Sequence, residues 1–207
     1  MGKCEKWTIA YRARKNGLTL MEDQTSPFIS VSNTWRYWRA DPFLFEKDGK
    51  TYLFAELYDR LLLRGVLGCC VLSERGAGKW EIILDEPFHL SYPFVFQNGS
   101  DIYMIPESCR SGKIILYKAV SFPYRWERVR ELADMVAVDS TVVEGPEGKF
   151  LLTYRSTDDG MELAVMEIDG DLTLRESYAA SEKNDCNVRP AGNPFIHKGQ
   201  LIRPAVC

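Results

Sequence analysis

The sequence predicts an all-β fold, a β-propeller of four-stranded antiparallel blades, and three observations predict it. A hairpin unit recurs about every fifty residues, and self-similarity at such a period marks radial or linear repetition. The unit opens on Asp, Tyr or Asn, usually before Pro-Phe, then runs through a short apolar strand, a Gly turn and a second strand carrying an aromatic. Two further strand-like runs follow each complete hairpin, rich in β-branched and aromatic residues, and no stretch carries a convincing helical pattern. Short, even strands with a Gly and aromatic signature per unit favour a propeller over a sandwich.

The elements follow in order. The run Lys6-Trp7-Thr8-Ile9-Ala10 has the pattern of a blade's outermost strand, as in Lys79-Trp80-Glu81-Ile82-Ile83. A strand over about residues 6–12 is therefore expected to close the ring against the last blade. Residues 11–35, rich in Asn, Ser and Thr, read as an inserted surface loop. Blade one (about 41–86) opens with Asp41-Pro42-Phe43, turns at Asp48-Gly49 and returns to Glu56. Blade two (about 92–133) opens with Tyr92-Pro93-Phe94, turns at Asn98-Gly99 and returns to Glu107. Blade three (about 139–178) opens with Asp139-Ser140-Thr141, turns between Gly145 and Gly148 and returns to Tyr154. Asn193-Pro194-Phe195-Ile196 and the turn Lys198-Gly199 begin a partial fourth unit (about 193–207). Residues 1–207 read as one propeller domain, incomplete at its C-terminus. Either the ring closes on fewer strands or a longer propeller has been cut short.

Composition excludes several classes. With 207 residues, 45% apolar and 27% charged, the chain is long enough for one sizeable core. A net charge of -3, without a basic patch interleaved with aromatics, gives no reason to expect nucleic acid. The basic lean of the first forty residues reads as solvated surface. No apolar run approaches a membrane span, and no apolar signal core follows the N-terminal lysines. The cysteines form no CxxC pair or regular framework, so buried free thiols in a cytoplasmic protein are expected. Neither the histidines nor the cysteines have metal-ligand spacing, and Gly76-Ala77-Gly78-Lys79 lacks the form of a phosphate loop. No cofactor is expected.

A meander decides which residues share an end of the ring. Strand one descends and strand two returns, so Asp41 lies beside Glu56, Tyr92 beside Glu107 and Asp139 beside Tyr154. The mouth of the axial channel should gather Asp41, Glu56, Glu107 and Asp139, with Arg39, Arg155 and Arg189 offsetting their charge. Two carboxyl groups at controlled separation are the machinery of glycoside hydrolysis. Clustering also raises carboxyl pKa values, which keeps an acid protonated near neutrality. Acids that open strands also cap loops or pair with arginines, but that role does not require convergence on one face. His89, in the aromatic-rich run Pro87-Phe88-His89-Leu90-Ser91-Tyr92, suits either ligand contact and proton transfer or a hydrogen bond within its own loop. Trp35, Tyr37 and Trp38 suit a sugar-stacking platform near the pocket or packing beneath the N-terminal loop, and Tyr92 and Trp38 with the arginines would serve recognition if the pocket only binds. Glu144-Gly145-Pro146 belongs to the bottom turn of blade three.

Four runs carry a family resemblance: Trp38-Arg39-Ala40-Asp41-Pro42-Phe43-Leu44-Phe45, Glu86-Pro87-Phe88-His89-Leu90-Ser91-Tyr92-Pro93-Phe94, Met104-Ile105-Pro106-Glu107-Ser108 and Arg189-Pro190-Ala191-Gly192. They resemble the β-propeller domain at the N-terminus of plant glucosamine inositolphosphorylceramide transferases and of bacterial relatives, and the likeness runs from Trp7 to Ala205. The resemblance implies a five-bladed propeller similar to arabinanases and invertases. In those hydrolases a first-blade Asp is base or nucleophile and a third-blade Asp supports the acid, and Asp41 and Asp139 match these positions. Their general acid is a fourth-blade Glu. Here Arg189-Pro190-Ala191-Gly192-Asn193 offers none, so Glu107 or Glu56 would have to substitute. The family usually extends past the position of Cys207, with sugar transfer assigned to a separate domain. The expectation is a carbohydrate-binding or accessory propeller with a glycosidase-like axial pocket and a carbohydrate or glycoconjugate ligand. Its alternatives are a glycoside hydrolase or glycosyl-transfer enzyme using Asp41, Asp139 and Glu107, and a scaffold without a ligand site.

Overall fold

The computed structural model of the chain describes residues 7–13, 22, 23, 25–181, 185 and 188–206. Among these, helical conformation is confined to the single turn Cys109–Ser111 and to Val188, and no helix is long and apolar enough to cross a membrane. Everything else is strand and turn, organised as a β-propeller.

Three antiparallel meanders succeed one another along the chain. Blade one runs from Tyr37–Lys47 at its inner edge through Lys50–Asp59 to Arg64–Ser73. Its outer edge is split, because Gly76–Ala77 and Glu81–Leu84 both pair with Arg64–Ser73. Blade two is Ser91–Asn98, Asp101–Glu107, Lys113–Ser121 and Arg125–Asp134, in that spatial order. Blade three is Ala137–Gly145, Gly148–Thr157, Gly160–Ile168 and Leu174–Ala179. The fourth unit is a short hairpin, Phe195–His197 with Gln200–Ile202, next to the pair Arg189–Pro190 and Ala205–Val206.

Local chemistry explains the turns. Asp48-Gly49 and Lys198-Gly199 each link two paired strands by two residues of positive φ, the type I′ geometry whose twist matches that of the flanking strands. The joints between blades are aromatic. Phe43 of blade one meets Tyr92 and Phe94 of blade two edge-on, at 4.7 and 6.0 Å between ring centroids. Phe122 lies edge-on against Tyr52 at 4.9 Å, and Trp126 reaches Phe54 at 6.2 Å. Such pairs contribute roughly 0.5–1.5 kcal/mol each beyond the area they bury, which ties blades one and two into one core. Cys69 joins this core, whereas Cys70 points to the other face of the same strand and packs with Leu53 and Ala55. Both are free thiols, while Cys4, Cys186 and Cys207 lie outside the described residues.

The N-terminal strand departs from expectation. Ile9–Tyr11 pairs with Ile29–Val31, not with the last blade. The stretch 11–35, read as a loop, therefore holds a strand, and residues 14–21 and 24 fall outside the described residues. The reason is apolar burial. Ile9 and Val31 complete a second cluster over Leu53, Ala55 and Cys70, a face of blade one that would otherwise meet water.

Candidate functional site

The same distortion opens the inner strand of every complete blade. In blade one Ala40 pairs with Glu56 and Phe43 with Phe54, so Asp41 and Pro42 together oppose Ala55. In blade two Tyr92 and Pro93 oppose Pro106, between the pairs Ser91–Glu107 and Phe94–Ile105. In blade three Asp139 and Ser140 oppose Thr153, between Val138–Tyr154 and Thr141–Leu152. Each is a β-bulge, a device that re-aims a side chain. A bulge also tolerates proline, which has no N–H to give the ladder; in blade three Ser140 instead bonds Thr153 Oγ1 at 2.9 Å. The first bulge residue has a left-handed backbone in all three, with φ of 48° at Asp41, 44° at Tyr92 and 55° at Asp139. None of these is glycine, and each costs on the order of 1–2 kcal/mol. Strain repeated at equivalent positions and aimed at one point is the pattern of a functional site.

That point is a cavity of about 430 Å³. Asp41, Glu56, Tyr92, Asp139 and Arg189 line it, with Trp7, Pro190, Ala191, Gly192 and Val206 on its other walls. Tyr92 ties the blades together around it. Its N–H donates to Asp41 Oδ2 at 3.2 Å, and its phenol oxygen accepts from Gly192 N at 2.8 Å and lies 2.9 Å from Thr141 Oγ1. Arg189 Nε donates to Asp139 Oδ2. Tyr92→Phe removes the acceptor of Gly192 and the partner of a buried hydroxyl. Stability should fall by about 1–3 kcal/mol, read as a lower urea midpoint at unchanged slope; an unmoved midpoint contradicts the network.

The carboxyl groups are tuned against ionisation. Burial, reinforced by Asp139, pushes Asp41 above the ordinary carboxylate range, while the Tyr92 N–H and Arg189 work the other way. Burial also raises Asp139, with Arg189 and a hydrogen bond from Glu107 offsetting it. Glu107 is raised to about 7 by burial and by Asp139, and accepts from Cys109 Sγ at 3.3 Å. Glu56, buried beside Asp41 and Glu107, is pushed up to about 8. At neutral pH Glu56 therefore keeps its proton and Glu107 is about half protonated, so the site presents donors beside acceptors.

Glu56 is held by a clamp from the loop between blades one and two. Gly65 N donates to His89 Nδ1 at 3.0 Å, so the ring proton sits on Nε2, which faces Glu56 Oε1 at 3.4 Å. Burial, with Arg110 and Arg64 nearby, lowers the His89 pKa and keeps the ring neutral. Leu90 N donates back to Gly65 O at 3.1 Å. The histidine is therefore both bonded within its loop and directed at a cavity acid.

Glu107 hydrogen-bonds Asp139 but is not among the residues that line the cavity, and three further expected site residues lie elsewhere. Arg39 packs at the N-terminal hairpin, donating from Nη1 to the Ser32 carbonyl and stacking over Trp80 at 5.0 Å. Arg155 reaches across blade three to Glu162, at 3.0 and 2.8 Å, and to Ser177 at 2.8 Å. It pairs with Glu162 in register, which captures the guanidinium on the sheet. Trp38 stacks on its cross-strand neighbour Tyr58 at 4.6 Å, and Tyr58 stands 6.3 Å from His89. It forms no part of the cavity wall. Conversely Trp7, read only as part of a strand, lines the cavity, anchored by Asn33 Nδ2 donating to its carbonyl at 2.7 Å. No spacing signal in the sequence connects Trp7 to the axis.

The bulged inner strands and the four-stranded blades define a β-propeller with an acid-lined cavity. Among solved structures, the chain is similar in fold to an α-L-arabinofuranosidase from Lactobacillus brevis, with a TM-score of 0.57 and 13% identity over 73% of this chain and 56% of that one. It is also similar to an exo-1,5-α-L-arabinanase from a bovine ruminal metagenomic library, with a TM-score of 0.52 and 12% identity over 82% of this chain and 68% of that one. The chain belongs to the family of the N-terminal domain of glucosamine inositolphosphorylceramide transferase 1, whose model matches residues 25–206. It is 42% identical over 175 residues to glucosamine inositolphosphorylceramide transferase 1 of Arabidopsis thaliana, covering 79% of this chain. The Oryza sativa subsp. indica protein of the same name is 33% identical over 176 residues. The chain spans only 23% and 24% of the length of these two relatives.

Proposed function

We propose that the axial cavity is a carbohydrate-recognition site, and that this propeller serves glycoconjugate metabolism as a sugar-binding companion to transferase chemistry. One observation carries the reading: three blades each spend a strained bulge to turn Asp41, Tyr92 and Asp139 toward the same cavity. Sugar hydroxyls both donate and accept, and the cavity offers both, with Glu56 protonated near neutrality beside Asp41 and the Arg189–Asp139 pair. The names of the plant relatives supply the context, an amino sugar and an inositolphosphorylceramide acceptor. Titration calorimetry or NMR against a panel of mono- and oligosaccharides should detect binding that Asp41→Asn weakens at least about tenfold. Binding indifferent to Asp41→Asn would remove the site.

A second reading, chemistry at a glycosidic bond, is favoured by a specific observation. Glu107 carries a proton to about pH 7 against Asp139, while the segment 189–192 lines the cavity with Arg, Pro, Ala and Gly and no carboxyl. Glu107 would then be the proton donor and Asp41 the base or nucleophile. Turnover of aryl glycosides lost in both Asp41→Asn and Glu107→Gln would support this reading over binding alone.

A further inference from the structure

We propose that a second cleft, built around Arg39, binds the phosphate group of a small phosphorylated molecule. The cleft shares no lining residue with the axial cavity and measures about 400 Å³. Its wall includes Arg39, Arg75, Tyr11, Ser30 and Ser32, and no Asp or Glu.

Arg39 carries the argument. It is only 4% exposed, yet among the described residues it has no carboxylate partner. Nη1 donates to the Ser32 carbonyl, Trp80 covers the guanidinium at 5.0 Å, and the buried Nε has no acceptor. A buried guanidinium without a counter-charge is costly, and proteins normally pair it. Here the missing partner is an anion that the cleft is shaped to admit. Arg75 adds a second cation, and the Tyr11, Ser30 and Ser32 hydroxyls add donors. Gly76, at φ +106°, forms part of the wall in a backbone conformation that favours glycine.

The donor set selects the ligand. Two guanidinium groups and three hydroxyls offer more N–H and O–H groups than the two oxygens of a carboxylate engage, and they suit the oxygens of a phosphoryl group. Such accumulation of positive charge is not the chain's general character, because its net charge is -3. The volume leaves room beyond the phosphate for an organic group.

Thermal melting of the chain tests this, with sodium phosphate, a hexose phosphate, sodium acetate and sodium chloride compared at matched ionic strength. A ligand that binds only the folded state raises Tm with its concentration. Phosphate or the hexose phosphate should raise Tm where acetate and chloride do not. A stronger response to the ester identifies an organic phosphate, and an equal one identifies free phosphate. Arg39→Met should abolish the response, and Arg75→Ala, an exposed change that leaves folding intact, should shift the dose dependence about tenfold. Phosphate acting no better than chloride overturns the proposal. So does a response that survives Arg39→Met, or, should that variant not fold, one unchanged in Arg75→Ala.

Discussion

Gly65→Ala is expected to unfold the chain or to cost about 3 kcal/mol or more, the largest effect of any single methyl addition at the site. A Cβ at this position would lie 2.2 Å from the Leu90 carbonyl oxygen and 2.6 Å from Glu56 Oε1. The first atom is backbone and cannot rotate away. It is fixed by the Leu90 N–H to Gly65 O bond, and Gly65 N is itself the donor that orients His89. Relief therefore means opening the join between blades one and two and moving Glu56 out of the cavity. The control is Gly145→Ala, where an added Cβ meets nothing within 4 Å and φ is not positive. Urea denaturation should show Gly145→Ala near the parent and Gly65→Ala far below it. Equal midpoints would mean that the join tolerates strain the structure does not provide for.

The second large effect is a loss of stability as pH rises. Glu56 is raised from 4.5 to about 8 in the folded state, chiefly by burial. Between those values the folded chain keeps a proton that the unfolded chain has released, so ΔG of unfolding falls with increasing pH. The stabilisation is complete below about pH 4.5 and is lost as pH passes through about 8. At about 1.4 kcal/mol per unit, this group alone contributes a few kcal/mol of pH dependence. Glu107, raised to about 7, acts in the same direction over a narrower window, and Asp41 and Asp139 share its sign. Stability measured in urea from pH 5 to 9 should decline for the parent chain, and Glu56→Gln should flatten much of that decline. A Glu56→Gln profile parallel to the parent's would show that Glu56 ionises freely and that the cavity is wetter than its burial implies. If the protonated acid is also the donor to ligand, sugar affinity should weaken over the same pH range.

Much of the site was legible because it repeats. Asp41-Pro42-Phe43 and Tyr92-Pro93-Phe94 announce the inner strands, and once the meander is granted their openings must share an end of the ring with Glu56 and Glu107. Of the acids expected at the channel mouth, Asp41, Glu56 and Asp139 line the cavity together with Arg189, whereas Glu107 is not on its wall and meets it through Asp139. The bulges were not legible. Period-two alternation says which face a side chain takes, and it does not say that two residues will stand opposite one.

Residues with long side chains were the least legible of all. Arg39 and Arg155 sit at the right height on their strands, but a guanidinium reaches several ångströms, and its end is chosen by the nearest acceptor. For Arg155 that is Glu162 across the sheet, and for Arg39 it is the Ser32 carbonyl on a hairpin with no counterpart in the repeat. Trp7 met the reverse fate. The strand it precedes pairs with Ile29–Val31 instead of the last blade, and Trp7 lines the same cavity as Asp41, Glu56 and Asp139.

By itself, then, the amino-acid order determined the blade period, the turns and the end of the ring where the acids gather, since these follow from short-range pattern and from the alternation of strand direction. The tertiary structure alone decided the left-handed bulges that aim those acids, the protons they retain, and the destinations of Arg39, Arg155 and Trp7. Those depend on burial and on neighbours distant in sequence, and a local pattern carries no information about either.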